Sequence, residues 1–174
     1  MTESNVASLV ADAAAGDPEA LARIMATHDA DMARVCMVIC GEMSLAHEAL
    51  QLAWISAWRR LGTLREPDRL RPWLVSVAAN EARQLLRRES RRRGHEGQAP
   101  IGWTPPDPAS RAGWLDLQTA LRRLDPDERR LLALRLVAGL TSEEVARELG
   151  GTASAIRGRL ARLLARLRRE LTDD

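Results

Sequence analysis

The sequence predicts an all-α protein: an N-terminal helical bundle and a C-terminal helix-turn-helix domain, both small, joined by a Pro/Gly-rich linker. Three observations carry this. Apolar residues recur at spacings of three and four along most of the chain, and no segment alternates with a strand's period of two. Residues 94–113 hold four of the eight prolines and four glycines with no periodicity, as a linker does. Residues 141–171 read as two helices joined tightly through Gly150-Gly151, the second rich in arginine. The boundaries are therefore 1–93 for the first domain, 94–113 for the linker and 114–174 for the second domain.

In order, Val6, Leu9, Val10 and Ala13 mark a first helix that stops at Gly16. Asp17-Pro18 restarts the chain, a capping acid before a proline at the first helical position. Leu21, Ile24, Met25, His28, Met32, Val35, Cys36 and Ile39 then hold one core stripe up to Gly41. Ser44 is the expected cap of a third helix with a main stripe of Leu50, Ala53, Trp54, Ala57, Trp58 and Leu61. At 100° per residue Leu52 and Ile55 point away from that stripe; exposed apolar residues are common in a small domain, and a pair of them also fits a protein contact.

Gly62 to Arg71 reads as a charged loop, and Pro72 as the opening of the next helix. Leu74, Val77, Ala78, Ala82 and Leu85 give that helix a thin apolar stripe, with Glu81 inside it. Ser76, Asn80, Arg83, Gln84, Arg87 and Arg91 gather on another face. Amides beside a guanidinium ladder suit nucleic acid, although a solvated polar face has the same composition. The run Arg87, Arg88, Arg91, Arg92, Arg93 favours the former.

After the linker, Trp114, Leu117, Leu121 and Leu124 predict a helix. Asp125-Pro126 with Glu128 starts another, which carries Leu131, Leu132, Leu134 and Val137 and stops at Gly139. Thr141 and Glu144 fit a capping box. Thr152 caps the last helix, striped by Ile156, Leu160, Leu163, Leu164, Leu167 and Leu171, with Arg157, Arg159, Arg162, Arg166, Arg168 and Arg169 on its other faces. Its arginines begin in the first turn, where a recognition helix meets base edges. An ordinary helical hairpin with a solvated arginine face is the alternative.

The 174 residues suffice for one medium or two small domains, and 45% are hydrophobic, enough for a core. The net charge of +2 hides an asymmetry: residues 1–58 carry −6 (two arginines, eight acids), residues 59–93 carry +7 (eleven and four) and residues 94–174 carry +1 (thirteen and twelve). The basic middle implies a polyanionic partner and the acidic start a different one. All 26 basic residues are arginine, whose planar fork matches phosphates and guanine edges, although a GC-rich genome biases the choice in the same direction. No apolar run reaches the roughly 18–20 residues of a membrane span, and the N-terminus lacks a signal peptide's basic start, so a cytoplasmic location is expected. Cys36 and Cys40 read as buried thiols, since a zinc site would need two further ligands that the three histidines do not supply. With no phosphate loop, nucleophile elbow or metal-spaced cluster, no enzyme, metal or cofactor is expected.

The order of parts resembles a group IV, or extracytoplasmic function (ECF), sigma factor of bacterial RNA polymerase, over about residues 7–93 and 114–171. AAAGDPEALARIMATHDADMARV is similar to that family's AxxGDxxAFxxLxxxH opening, and AHEALQLAWISAWRRL to its AEDLVQEVFLRAWRAL segment. LRPWLVSVAANEARQLLRRESRRR is similar to FRAWLYRIARNLAxDxxRRxRR, and residues 120–168 to its promoter-reading domain. The resemblance implies that the helix containing Leu50, Gln51 and Ala57 packs against core polymerase, with Glu48, Gln51, Leu52 and Ile55 as contacts. It implies that the loop at 62–70 and Ser76, Asn80, Arg83, Gln84, Arg87 and Arg88 capture the melted minus-ten element. Thr152, Ser154, Arg157, Arg159 and Arg162 would enter the major groove at the minus-thirty-five element, and Trp73 matches an aromatic beside the melting site.

The implied partners are core RNA polymerase, promoter DNA and an anti-sigma factor. The sequence departs from the family pattern at Leu52, where an acid is usual, at Glu81, where an apolar residue is usual, and at Gly158 inside the recognition helix. Two other readings stay open: a stand-alone helix-turn-helix regulator, and a sigma-like decoy that binds a partner without reading DNA.

Overall fold

The computed structural model describes residues 3–93, 121 and 123–170, and every regular element among them is helical. The linker and the expected helical positions Trp114, Leu117 and Leu171 lie outside the described residues.

α1 (Glu3–Ala14) ends at Gly16, whose φ of +98° only glycine adopts cheaply. Asp17 caps α2 (Pro18–Cys40), its carboxylate accepting from the amides of Glu19 and Ala20 at 2.8 and 3.4 Å. Gly41, at φ +70°, closes α2 by returning its N–H to the Met37 carbonyl. α3 (Met43–Arg60) begins two residues earlier than Ser44 allows as a cap. Glu42 is the flanking residue, and the Ser44 hydroxyl donates to the Glu42 carboxylate from within the first turn. Two short 3₁₀ turns, Leu61–Thr63 and Pro67–Arg69, occupy the charged loop. α4 (Leu70–Arg93) starts before Pro72, which sits in its first turn, where a missing N–H costs nothing.

α2, α3 and α4 pack pairwise around one core, with α1 laid over α2 and the two 3₁₀ turns. Ala46, Ala49, Ala53 and Ala57 form the buried edge of α3 and let its backbone approach its neighbours closely. Fully buried Ile24, Met32, Ile39 and Leu74 fill the space between, each contributing about 1.5–3 kcal/mol by leaving water. Cys36 and Cys40 belong to this core: their thiols donate to the Ala78 and Ala82 carbonyls of α4 at 3.8 and 3.9 Å. Burial pushes both thiols up, Cys40 to about 12, so neither is a nucleophile at neutral pH.

Trp58 departs from its expected place in the stripe and is 56% exposed. It falls at the edge of the stripe that Trp54 and Ala57 bury, three residues from exposed Ile55. Glu81 finds a partner in the Ser56 hydroxyl, which donates to it at 2.8 Å.

In the second half, Asp125 and Glu128 form a reciprocal capping box on α5 (Pro126–Leu132), which continues as a π-helical turn at Ala133–Val137 and ends at Gly139, φ +69°. A second capping box, Thr141 with Glu144, opens α6 (Ser142–Leu149). Gly150 and Gly151, both at positive φ, make the turn into α7 (Ala153–Glu170), whose opening amide at Ala155 donates to Thr152 Oγ1 at 3.1 Å. Ile156, Leu163 and Leu167 are its buried stripe, packed on the α5–α6 pair.

The two halves are in contact. α5 packs against α4 and α2, and α6 against α4. This explains why α4 is buried far beyond its expected thin stripe, with Val75 and Ala79 also at 0% exposure. Two arginines tie the halves at backbone carbonyls. Arg71 Nη1 donates to Ala138 O at 3.0 Å, and Arg129 Nη1 to Ile39 O at 3.1 Å.

Candidate nucleic-acid interface

Thr152 caps α7, and Ser154, Arg157, Arg159 and Arg162 follow over its first three turns, all exposed, with Arg157 and Arg159 on opposite flanks of the solvent side. Among the described residues Arg157 pairs with Glu143 of α6 at 3.3 Å, and both side chains are about 60% exposed, so screening leaves the pair weak. Gly158 lies between them, where an added Cβ would meet only the Arg162 guanidinium at 3.5 Å. Guanidiniums spread over the open side of a helix next to a tight glycine turn can enter a major groove, those at the centre meeting base edges and those on the flanks phosphates.

The second group sits on α4. Ser76, Asn80, Arg83 and Arg87 fall on one face at helical spacing, and Gln84 and Arg88 on its flank. That face meets the other half of the chain. Arg83 Nε and Arg87 Nη2 each donate to Asp127 of α5 at 2.5 Å, one to each carboxylate oxygen. Burial alone would raise the Asp127 carboxyl, but the pairing with Arg83, reinforced by Arg87 and Arg130, holds it below the usual carboxylate range. Ser76 is 3% exposed, so no strand reaches it in this arrangement. It lies beside Glu148 of α6, whose carboxyl burial pushes up against the pull of Ser76, Arg69 and Arg130. Asn80, Arg83 and Gln84 are half-buried, whereas Arg87 and Arg88 are exposed.

Glu148 also closes one side of a cleft of about 200 Å³ whose other walls include Thr63, Arg65, Arg69 and Trp73. Sequence reasoning missed Asp127 and Glu148 at this site. Both lie on helices whose apolar stripes point elsewhere, and nothing local marks them as partners of a helix some 40–70 residues away.

The third group lies on α3. Glu48, Gln51 and Ile55 are exposed and share a face with half-buried Leu52; Trp58 extends it. Ala57 does not belong to it. At 2% exposure it packs inside the bundle, because it falls on the alanine edge of the helix, and Leu50 is half-buried on the same side.

Two family descriptions match the chain, sigma-70 region 2 at residues 24–92 and sigma-70, region 4 at residues 114–167. The ECF RNA polymerase sigma factor SigM of Mycobacterium tuberculosis is 30% identical over 173 residues, covering 97% of this chain and 86% of its own length. This chain belongs to the ECF sigma factors of the sigma-70 family. Its function is that of a sigma factor, directing transcription initiation by RNA polymerase. The probable RNA polymerase sigma factor RfaY of Xanthomonas campestris is 32% identical over 91% of this chain, which spans only 42% of that protein. Among solved structures, CnrH in complex with the cytosolic domain of CnrY superposes with a TM-score of 0.71 at 26% identity, covering 95% of this chain and 96% of CnrH. No described helix of this ECF sigma factor is long and apolar enough to cross a membrane.

Proposed function

We propose that this ECF sigma factor, of group IV, divides promoter reading between its two halves, residues 1–93 and 114–174, with 94–113 as the tether. The row Thr152, Ser154, Arg157, Arg159 and Arg162 reads the minus-thirty-five duplex. Ser76, Asn80, Arg83, Gln84, Arg87 and Arg88 hold the melted minus-ten strand. Glu48, Gln51, Leu52 and Ile55 dock on core polymerase. The observation that supports this best is the exposed arginine row on a capped helix following a glycine turn, because a helix in the major groove needs that geometry. Tethering two weak DNA contacts raises the effective concentration of the second. The polymerase core supplies the chemistry; this chain is no enzyme and works in the cytoplasm. An anti-sigma factor is its further partner, by analogy with CnrH, which was solved with the cytosolic domain of CnrY.

The test is runoff sequencing of transcripts made by core polymerase plus this protein on genomic DNA. Discrete start sites sharing two spaced elements are expected. A transcript set identical to that of core alone would sink the reading.

A further inference from the structure

The minus-ten face of α4 is already occupied by an anion of the chain's own. Asp127 offers one carboxylate oxygen to Arg83 and the other to Arg87, both at 2.5 Å, which is how two guanidiniums grip the oxygens of a phosphate. A second acid, Glu148, comes from the same half and sits over Ser76 and the cleft walled by Arg65, Arg69 and Trp73. The arginine row of α7, by contrast, stays open to solvent.

We propose that the C-terminal half closes the minus-ten face of its own N-terminal half, with Asp127 standing in for a strand phosphate between Arg83 and Arg87. This rests on the assignment of those arginines to the melted strand. A strand and Asp127 compete for the same guanidinium donors, so the chain opens before it captures single-stranded DNA.

The closure is built to yield. Among the described residues, Arg69 Nη2 and Arg130 Nε are buried around Glu148 and Asp127 without hydrogen-bond partners, which weakens the closed form. Arg130 stands near Arg83 as a like charge, and burial lowers its guanidinium further. Both ion pairs with Asp127 involve partly exposed side chains, so each is modest in strength.

The test uses the full chain, a short fluorescein-labelled single-stranded oligonucleotide of mixed sequence, and small-angle scattering. Asp127→Asn and Asp127→Arg leave the α5 cap intact, because Asp125 and Glu128 form it. The expected result is binding tightened roughly threefold to tenfold, the range that loss of two weak pairs allows, with an increased radius of gyration. The gain is expected to vanish when Arg83→Ala and Arg87→Ala are added. Unchanged affinity in both Asp127 variants, with weaker binding in the double arginine variant, overturns the closure and keeps the minus-ten assignment. No change in any variant overturns both.

Discussion

His28 sits half-buried on α2 beside Asp31, which pairs with Arg71 at 2.7 Å. Burial lowers the imidazole below its usual range; Asp31 pulls it back up and Arg71 adds to the lowering. A histidine depressed in the folded state leaves stability intact above the unfolded value near 6.5 and removes it as pH falls below that, since only the unfolded chain then takes up the proton. The urea midpoint is therefore expected to fall between about pH 7.5 and pH 5.5, and His28→Gln to flatten that fall. An unchanged slope in His28→Gln would remove His28 as the cause. At the opposite end of the chain, Arg157→Ala should cost roughly 1–3 kcal/mol of promoter binding and relax base preference at one position, measured by competition among duplex variants. A change confined to salt dependence would make Arg157 a phosphate contact instead.

Among the elements, α7 carries the clearest local conflict. Gly158 lies in a helix interior with no positive φ and no close obstacle, so alanine fits without strain. Gly158→Ala is expected to stabilise the chain by about 0.5–1 kcal/mol in chemical denaturation. If duplex affinity falls at the same time, the glycine serves close backbone approach to DNA; equal or better affinity leaves it without that role. Element ends were legible wherever capping chemistry is local. Asp17-Pro18, Asp125 with Glu128, and Thr141 with Glu144 each place their hydrogen bonds within three residues and appear as read. Ser44 misled because Glu42, two residues earlier, already had extended backbone and took the capping position, with no cap bond from its side chain to the helix amides. Trp58 misled because an apolar residue at the rim of a stripe looks like a core residue until its neighbours are known.

At the scale of the molecule, periodicity revealed which faces are apolar but not which polar faces are covered. Arg83 and Asp127 lie 44 residues apart, and no spacing rule links them. Which residues of α3 and α7 are exposed was mostly legible from the wheel, Trp58 being the exception on α3. The α4 face was legible in composition only, and its covering by α5 and α6 was not. Glu148 gives a measurable handle on that covering. Burial raises its carboxyl in the closed form, so its stabilising share is complete below the unfolded value near 4.5 and is lost as pH rises through the higher folded value. Glu148→Gln is accordingly expected to raise the melting temperature at about pH 7.5 and to leave it unchanged at about pH 4. This slope runs opposite to that of His28, so the two variants separate contributions that partly cancel in the parent chain. A lowered melting temperature at the higher pH would show that Glu148 holds the halves together through Ser76 and Arg69 rather than straining them.

The strip formed by Gln51, Ile55 and Trp58 lies on the outer side of α3, away from the junction between the halves. On the proposed docking of this strip on polymerase, a latched molecule boards the enzyme before it unlatches. Sequence recognition would then be postponed until after boarding, and a free copy would drift past loose single strands without being trapped by them.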